Sequence, residues 1–443
     1  MIFLTLDIGS TYIKGAVSDL TSGTLHHVRR IPFPAPIEGT PPGHFEVDPA
    51  AILEVVQTVV DDLLPHAPDC QGILSCSQMH AFLLVDDAGR ACSNVITWKD
   101  QRAAGDLFDQ IAGCVSPADL RATGNELRVG LPICALVHMA QAGTLPPKAM
   151  PASMPDWVLG QLCGVVADGV EISNAGAYGC LDLASGDWHR PTLAALGLGH
   201  LTFPTIRGWD HVLGHYRGIP IFTPVGDHQA ALAGVGLRPG ELSINIATGG
   251  QVSMLSGTLH FGTYQTRPYF DDLFLSSAVN VPAGQGLGVM VDFVTEVAAL
   301  SGTPIDNPWA AINRAVDATP STDLQVDMAF FDGNVGAITH IDSENLHIGA
   351  LFRAAFNRMA ASYAEAAQAL DPTRSWTRIL LTGGVMHKSS HLRSAIAEQF
   401  GMEPELIHIT EDTLSGLTNL VASTNESHTH HPQPNYPGKR EYP

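Results

Sequence analysis

The sequence predicts an α/β protein built from two similar halves. Two observations carry that reading. A short apolar run, a polar turn containing glycine and a second β-prone run open the chain at residues 2–17, and the same succession returns at residues 242–255. Amphipathic helical stretches separate the β runs, so strands and helices alternate along the chain instead of segregating. At 443 residues with 45% apolar content, the chain has room for two or three domains with substantial cores.

In order, residues 2–6 read as a strand, residues 7–11 as a tight turn and residues 12–17 as the returning strand. Asp48 followed by Pro49 sets an N-cap with proline at the first helical position, and apolar residues at helical spacing continue to about Leu64. Residues 72–77 form a short strand ending at Gln78-Met79-His80, and residues 82–85 and 95–98 form a β pair joined by a turn at residues 86–89. Between residues 117 and 187 short helical patterns alternate with Gly and Pro, residues 154–162 being the clearest helix. A β pattern at 219–225 then delivers the chain to Gly226-Asp227-His228-Gln229 and a small-residue helix over 230–236. Residues 242–246 run into the Thr248-Gly249-Gly250 turn, and 252–255 resume the strand. A long amphipathic helix spans 345–370, a buried-type strand at 378–381 ends at Thr382-Gly383-Gly384, and a helix covers 391–400. From residue 424 the sequence loses periodicity and reads as a disordered tail.

The formal charge of −21 argues against nucleic-acid and anionic-membrane surfaces, which need clustered positive charge. No apolar run reaches the roughly 18 residues a membrane span requires, and the apolar N-terminus has no basic leader. The seven cysteines (Cys70, Cys76, Cys92, Cys114, Cys134, Cys163 and Cys180) form no C-x-x-C pair and suit free thiols in a reducing compartment. A cytoplasmic protein is expected.

Four groups of residues could carry chemistry. Asp7-Ile8-Gly9-Ser10-Thr11 places a carboxylate at a strand end beside a glycine that lets a phosphate approach the backbone, and Lys14 could add positive charge; an ordinary hairpin turn is the plainer reading. No Gly-x-x-x-x-Gly-Lys-Ser/Thr motif occurs, so a nucleotide site here is not a P-loop. Thr248-Gly249-Gly250 and Thr382-Gly383-Gly384 are common turns singly, but three Gly/Thr turns at strand ends suit the several parts of a nucleotide. Asp227, between a strand end and a helix start, could take a hydroxyl proton in phosphoryl transfer or could simply cap the helix. Gln78, Met79 and His80 with Trp98, Asp100 and Arg102 form a polar and aromatic set suited to a polyol, although His80 and Trp98 could equally be core residues. The histidines at 428, 430 and 431 could hold a metal but sit in an unstructured context.

Those motifs, in their order and spacing, resemble the carbohydrate kinases of the FGGY family, in the actin-like ATPase superfamily. The resemblance covers residues 1–422. It rests on Leu6-Asp7-Ile8-Gly9-Ser10-Thr11, on Ser77-Gln78-Met79-His80 with Thr97-Trp98-Lys99-Asp100-Gln101-Arg102, on Gly226-Asp227-His228-Gln229-Ala230-Ala231, and on Leu381-Thr382-Gly383-Gly384. It implies two ribonuclease-H-like domains, residues 1–228 and 229–423, with a cleft where sugar and ATP meet, and a requirement for Mg²⁺. By similarity, Asp227 is the catalytic base, and Asp7 with Asp227 positions the metal. Gln78, Met79, His80, Trp98, Asp100, Arg102 and Asp227 border the sugar. Ser10, Thr11, Lys14, Thr248, Gly249 and Gly250 hold the phosphates, and Gly383, Gly384 and Lys388 the adenosine end.

Residues 245–251, 269–288, 336–345 and 351–356 look closest to sedoheptulokinases, with kinases of xylulose or another ketose as alternatives. Three departures bear on the nucleotide: the chain is shorter than many members, the loop 331–335 lacks the usual acidic-basic pair, and Arg393 stands where Gln is common. The expected activity is ATP-dependent transfer of the γ-phosphoryl group to a primary hydroxyl of a ketose, sedoheptulose to sedoheptulose 7-phosphate, by a monomer or homodimer with no nucleic-acid or membrane partner. Two rivals use the same fold: a non-catalytic sugar or nucleotide sensor, and an actin-like ATPase that needs no sugar.

Overall fold

The computed structural model describes residues 1–329 and 335–427, with side chains through residue 422. Most of the 331–335 loop and the three tail histidines lie outside the described residues. The chain divides into two compact units, one of residues 1–119, 127–236 and the segment from Thr410, the other of residues 120–126 and 237–409.

In the first unit β1 (Ile2–Ile8), β2 (Tyr12–Asp19) and β3 (Thr24–Pro32) pair antiparallel in succession. β4 (Cys70–Ser77) lies parallel to β1 on its other side. The hairpin of β5 (Val212–Tyr216) and β6 (Ile219–Phe222) extends the sheet beyond β4, and the short β7 (Val225–Gly226) pairs parallel with β4 at its end. α1 (Pro49–Leu63) starts as its sequence requires: the Asp48 side chain accepts the Ala50 N–H at 2.9 Å, and Pro49 needs no partner in the first turn. Its buried face, Ile52, Val56, Val59, Val60 and Leu63, joins Leu4, Leu6, Ile8 and Ile13 in one core with α2 (Met154–Cys163).

The second unit repeats the plan. β8 (Glu241–Ile246), β9 (Gly250–Ser256) and β11 (Phe274–Val281) are antiparallel, with β10 (Gln265–Pro268) added at the edge; β12 (Arg378–Thr382) lies parallel to β8, and β13 (Glu405–Leu406) parallel to β12. α4 (Gly284–Leu300), α5 (Pro308–Asp317), α6 (Ile348–Leu370) and α7 (Ser390–Phe400) accompany this sheet. α6 buries Phe352, Phe356, Met359 and Tyr363 against Ile244, Ile246 and Val252. It begins at Ile348, after the His347 ring accepts the Ala350 N–H, and not at residue 345. Residues 120–126 join this unit through a buried two-pronged ion pair of Arg267 with Glu126 (2.6 and 2.9 Å) and through the Thr266 N–H donating to Gly124 (2.9 Å).

Two expected boundaries move. The helix after Gly226 is α3 (Asp227–Val235), which ends where Gly236 takes the left-handed φ of 77°, so the first unit runs to Gly236 and not to residue 228. The C-terminal helix α8 (Asp412–Ser427) returns to the first unit and extends into the stretch expected to be a tail. It packs on α3 through glycines on both helices, and the Asn419 side chain donates to the Ala233 carbonyl at 3.0 Å. No helix among the described residues is long and apolar enough to cross a membrane.

The first unit also carries a buried acid away from its sheet edge. Asp156, in the first turn of α2, is fully enclosed; burial, against an opposing pull from Ser153 and with added repulsion from Glu171, pushes its carboxyl well above the usual range. A carboxyl raised in this way favours the folded state below the unfolded pKa of about 3.9, and that contribution is lost as pH rises toward its folded pKa. Asp156→Asn, which cannot ionise, should therefore lose less stability than the parent between pH 5 and pH 8.5. Urea midpoints at the two pH values measure the difference, and equal pH dependence would refute it.

Candidate active site

The strand register gathers the expected motifs. Asp7 of β1 lies opposite Cys76 of β4, which lies opposite Val225 of β7; one step on, Ile8, Ser77 and Gly226 align in the same way. All three strands run parallel, so the turns at Gly9, Gln78 and Asp227 leave the sheet at one edge, where parallel sheets commonly bind ligands. The Gln78 N–H donates to the Ile8 carbonyl at 3.0 Å and ties two of these turns together.

Asp7 is 4% exposed. Its Oδ2 accepts from the Thr413 hydroxyl at 2.9 Å and lies 3.4 Å from the Lys14 ammonium. Its Oδ1 is buried with no hydrogen-bond partner among the described residues. Burial pushes the Asp7 carboxyl up, while Lys14 and Thr413 pull it down. Lys14 is shared: its Nζ donates to Glu411 at 3.3 Å, and Glu411 also pairs with Arg30. Burial works against the Lys14 charge, but Asp7 and Glu411 outweigh it and hold the ammonium above its ordinary pKa. A Cβ on Gly9 would stand 2.9 Å from the Tyr12 carbonyl, so the turn needs glycine; Ser10 is half-buried and Thr11 exposed beside it.

Asp227 is the first residue of α3, and Gly226 occupies the capping position, so the carboxylate does not serve as the N-cap. The fully buried Cys76 thiol is pushed well up by its burial and then by the charges of Asp7, Asp227 and Asp412. Among the described residues, no three His, Cys, Asp or Glu side chains cluster closely enough to hold a metal ion by themselves.

Of the polyol set, Gln78 is 3% exposed, and both polar atoms of its amide lack hydrogen-bond partners among the described residues. A buried, unpaired amide is costly unless a ligand or water completes it. The Met79 sulfur lies 3.2 Å from where a Gly226 Cβ would stand, which brings Met79 to the base of Asp227. His80 adopts a left-handed φ of 67° and donates from Nδ1 to the Ala177 carbonyl at 2.7 Å, which makes Nε2 the acceptor of the neutral ring. Trp98 is 38% exposed, with the Lys99 ammonium 5.5 Å from its ring centre. Asp100 and Arg102 point into structure: Arg102 pairs with Asp100 (2.8 Å) and Glu46 (2.7 Å), and Asp100 accepts the Phe45 N–H (2.7 Å). They brace the chain at Phe45 and Glu46.

In the second unit, Thr248 and Gly249 are exposed in the turn between β8 and β9, and the turn's carbonyls at Ala247 and Thr248 accept the N–H groups of Gly284 and Gln285 at the start of α4. A Cβ on Gly250 would lie 2.1 Å from the Tyr363 hydroxyl. Gly383 has a φ of 97°, and a Cβ there would lie 2.3 Å from the Ile246 carbonyl, whereas Gly249 and Gly384 face open space. Asn245, beside Gly383, has a buried Oδ1 without a hydrogen-bond partner among the described residues. The exposed Lys388 ammonium sits 5.9 Å from the Trp309 ring centre. Arg393 braces the same turn by donating to the carbonyls of Met386 and Ser389.

No local pattern marks Glu411, Asp412 and Thr413, which the start of α8 and the residue before it bring to the Asp7–Lys14 pair from the far end of the chain, nor Glu46 beside Arg102. These pairings are tertiary and leave no local signature.

Residues 2–234, more than half of the chain, match the family model described as the FGGY family of carbohydrate kinases, N-terminal domain. The chain belongs to the FGGY family. Within it, a glycerol kinase of Paenarthrobacter aurescens is 25% identical over 282 residues, 56% of this chain and 52% of the relative; the chain spans about half the length of the curated relatives it matches. Among solved structures, a xylulose kinase from Rhodospirillum rubrum superposes with a TM-score of 0.83 at 20% identity, over 95% of this chain and 90% of the other. Plasmodium falciparum glycerol kinase with ADP superposes at 0.80 and 16% identity, over 96% and 90%. The two units thus have the ribonuclease-H-like fold of FGGY and actin-like ATPase proteins.

Proposed function

We propose that this FGGY-family chain is an ATP-dependent sugar kinase that transfers the γ-phosphoryl group to a primary hydroxyl of a ketose, with Asp227 as the base. The observation that carries this is the convergence of Asp227, Asp7 and the unpaired Gln78 amide at one sheet edge. Gln78 and His80 Nε2 would fix the sugar's hydroxyls, and Met79 and the partly exposed Trp98 ring would offer apolar surface to its carbon face. Asp227 would take the proton as the hydroxyl oxygen bonds to phosphorus and the ADP oxygen leaves. The ADP-bound glycerol kinase supports ATP as the donor.

Mg²⁺ commonly binds through one or two carboxylates together with substrate phosphates and water, and the unpartnered buried oxygen of Asp7 fits that demand, with Asp227 as the second carboxylate. When bound it would offset phosphate charge. Ser10 and Thr11, with Lys14 behind them, and Thr248, Gly249 and Gly250 would meet the phosphates; Gly383, Gly384 and Lys388 would meet the adenosine. Sedoheptulose is the first acceptor to test, with xylulose next. The unpaired thiols suit the cytoplasm. Release of ADP that depends on a ketose, across a panel with sedoheptulose, xylulose, gluconate and glycerol, tests the reading; ATP turnover indifferent to every acceptor would sink it.

The two nucleotide-side glycines should behave differently. Gly249→Ala meets open space, so its melting temperature should stay within about 2 °C while the KM for ATP rises. Gly383→Ala combines a left-handed backbone with a 2.3 Å clash and should destabilise by about 2–4 kcal/mol. Thermal melts and ATP saturation curves for the pair decide it; equal melting temperatures would contradict this assignment.

A further inference from the structure

We infer that Ser173, oriented by the buried Glu171, and the adjacent Asn174 are positioning residues for Asp227. The inference rests on Asp227 being the base, and its evidence is a relay that ends one residue before it. The Gly226 N–H donates to the Ser173 hydroxyl oxygen at 2.9 Å, and the Asn174 side-chain amide donates to the Pro224 carbonyl at 2.8 Å. Two adjacent side chains of the short helix Ile172–Gly176 therefore hold the 224–226 backbone that turns into α3.

The Ser173 hydroxyl can accept from Gly226 in a fixed direction only if its own proton goes elsewhere, and it donates that proton to Glu171. The same Glu171 oxygen accepts the Ser173 N–H at 2.8 Å and caps the helix. Glutamate is not among the favoured N-caps, and this one is 2% exposed, with burial pushing its carboxyl up to about 7. Serine or aspartate would cap so short a helix without burying a longer carboxylate. Orienting the Ser173 hydroxyl explains why an acid is kept there. Ser173 and Asn174 are 1% and 4% exposed.

The residue they hold in place cannot hold itself. Gly226 has no side chain with which to cap α3, and a larger residue would strike Met79 and Gln229. Its pairing with Ser77 fixes one side of the strand end, and Ser173 fixes the other. Without the relay, the peptide between Gly226 and Asp227 gains freedom, and a base displaced by about 1 Å can cost 10²-fold in rate.

The test uses the full chain, ATP and the best acceptor from the ketose panel, with Ser173→Ala, Ser173→Thr and Asp227→Asn beside the parent. Ser173→Ala should lower kcat at least tenfold, leave both KM values within threefold and keep its melting temperature near the parent's. Ser173→Thr, which retains a hydroxyl, should recover most of kcat. Full kcat in Ser173→Ala beside an inactive Asp227→Asn overturns the relay while the base stands, as does a loss of kcat only in step with melting temperature. Full activity of Asp227→Asn overturns the base itself. If Ser173→Ala does not fold, Asn174→Ala, which loosens Pro224 alone, takes its place with the same kcat-against-KM criterion.

Discussion

Asp227→Ala should lower kcat by about 10²–10⁴-fold, the usual contribution of a positioned base, with little change in the KM for ATP. The position predicts a clean separation of activity from folding. Asp227 is half-buried at the first helical residue of α3, and Gly226, not Asp227, holds the capping position. Removing a carboxylate from a helix N-terminus forfeits about 0.3–1 kcal/mol of dipole interaction, a shift of only a few degrees in melting temperature. Asp227→Asn sharpens the result, since it keeps the shape and most of the hydrogen bonding but cannot take a proton. Acceptor-dependent ADP release measured for both variants, with melts alongside, separates a base from a helix residue. A variant of either kind that turns over at the parent's rate would refute the assignment.

What the sequence made legible follows from how local each signal is. The β1 turn, the Asp48–Pro49 helix start and the strand-to-helix step at Asp227 are each set by residues within one turn of each other, and each stands where expected. β3 escaped because it is an edge strand: residues 26–30 are all exposed, so no buried alternation marks them. α4 escaped for a related reason. Val289, Phe293, Val297 and Leu300 recur at helical spacing yet are exposed, which leaves the sequence apolar without a distinct polar face. The polyol set was read by residue type alone, and type does not show where a donor is taken up: the Gln78 amide has no partner among the described residues, while Arg102 gives its donors to Asp100 and Glu46. The pairing of Thr413 with Asp7 joins residues 406 apart in sequence, and only the return of α8 to the first unit brings them together.

That return is the basis of a second large effect. α3 and α8 cross with no side chain between their backbones: a Cβ on Gly416 would stand 1.7 Å from the Ala230 carbonyl, and one on Gly234 would stand 2.0 Å from the Asp412 carbonyl. In a solvent-exposed helix Gly→Ala is worth about 0.5–1 kcal/mol of stability through backbone entropy. Here the obstructing atoms are main-chain and cannot turn aside, so the steric term should win, with Gly416→Ala destabilising by about 2–3 kcal/mol and Gly416→Val by more. Gly113, in the helix Asp106–Cys114, supplies the opposite sign, because nothing lies within 4 Å of its Cβ position and Gly113→Ala should stabilise. The two helices carry different parts of the site at their N-termini, Asp227 on α3, and Thr413 with its bond to Asp7 on α8. Forcing them apart therefore moves the carboxylates relative to each other, and Gly416→Ala should lose at least tenfold in kcat at temperatures well below its own melting point. Melts of Gly416→Ala and Gly113→Ala, with turnover of the former on folded protein, check both halves; a Gly416→Ala protein that gained stability as Gly113→Ala does would show that the helices do not cross in backbone contact.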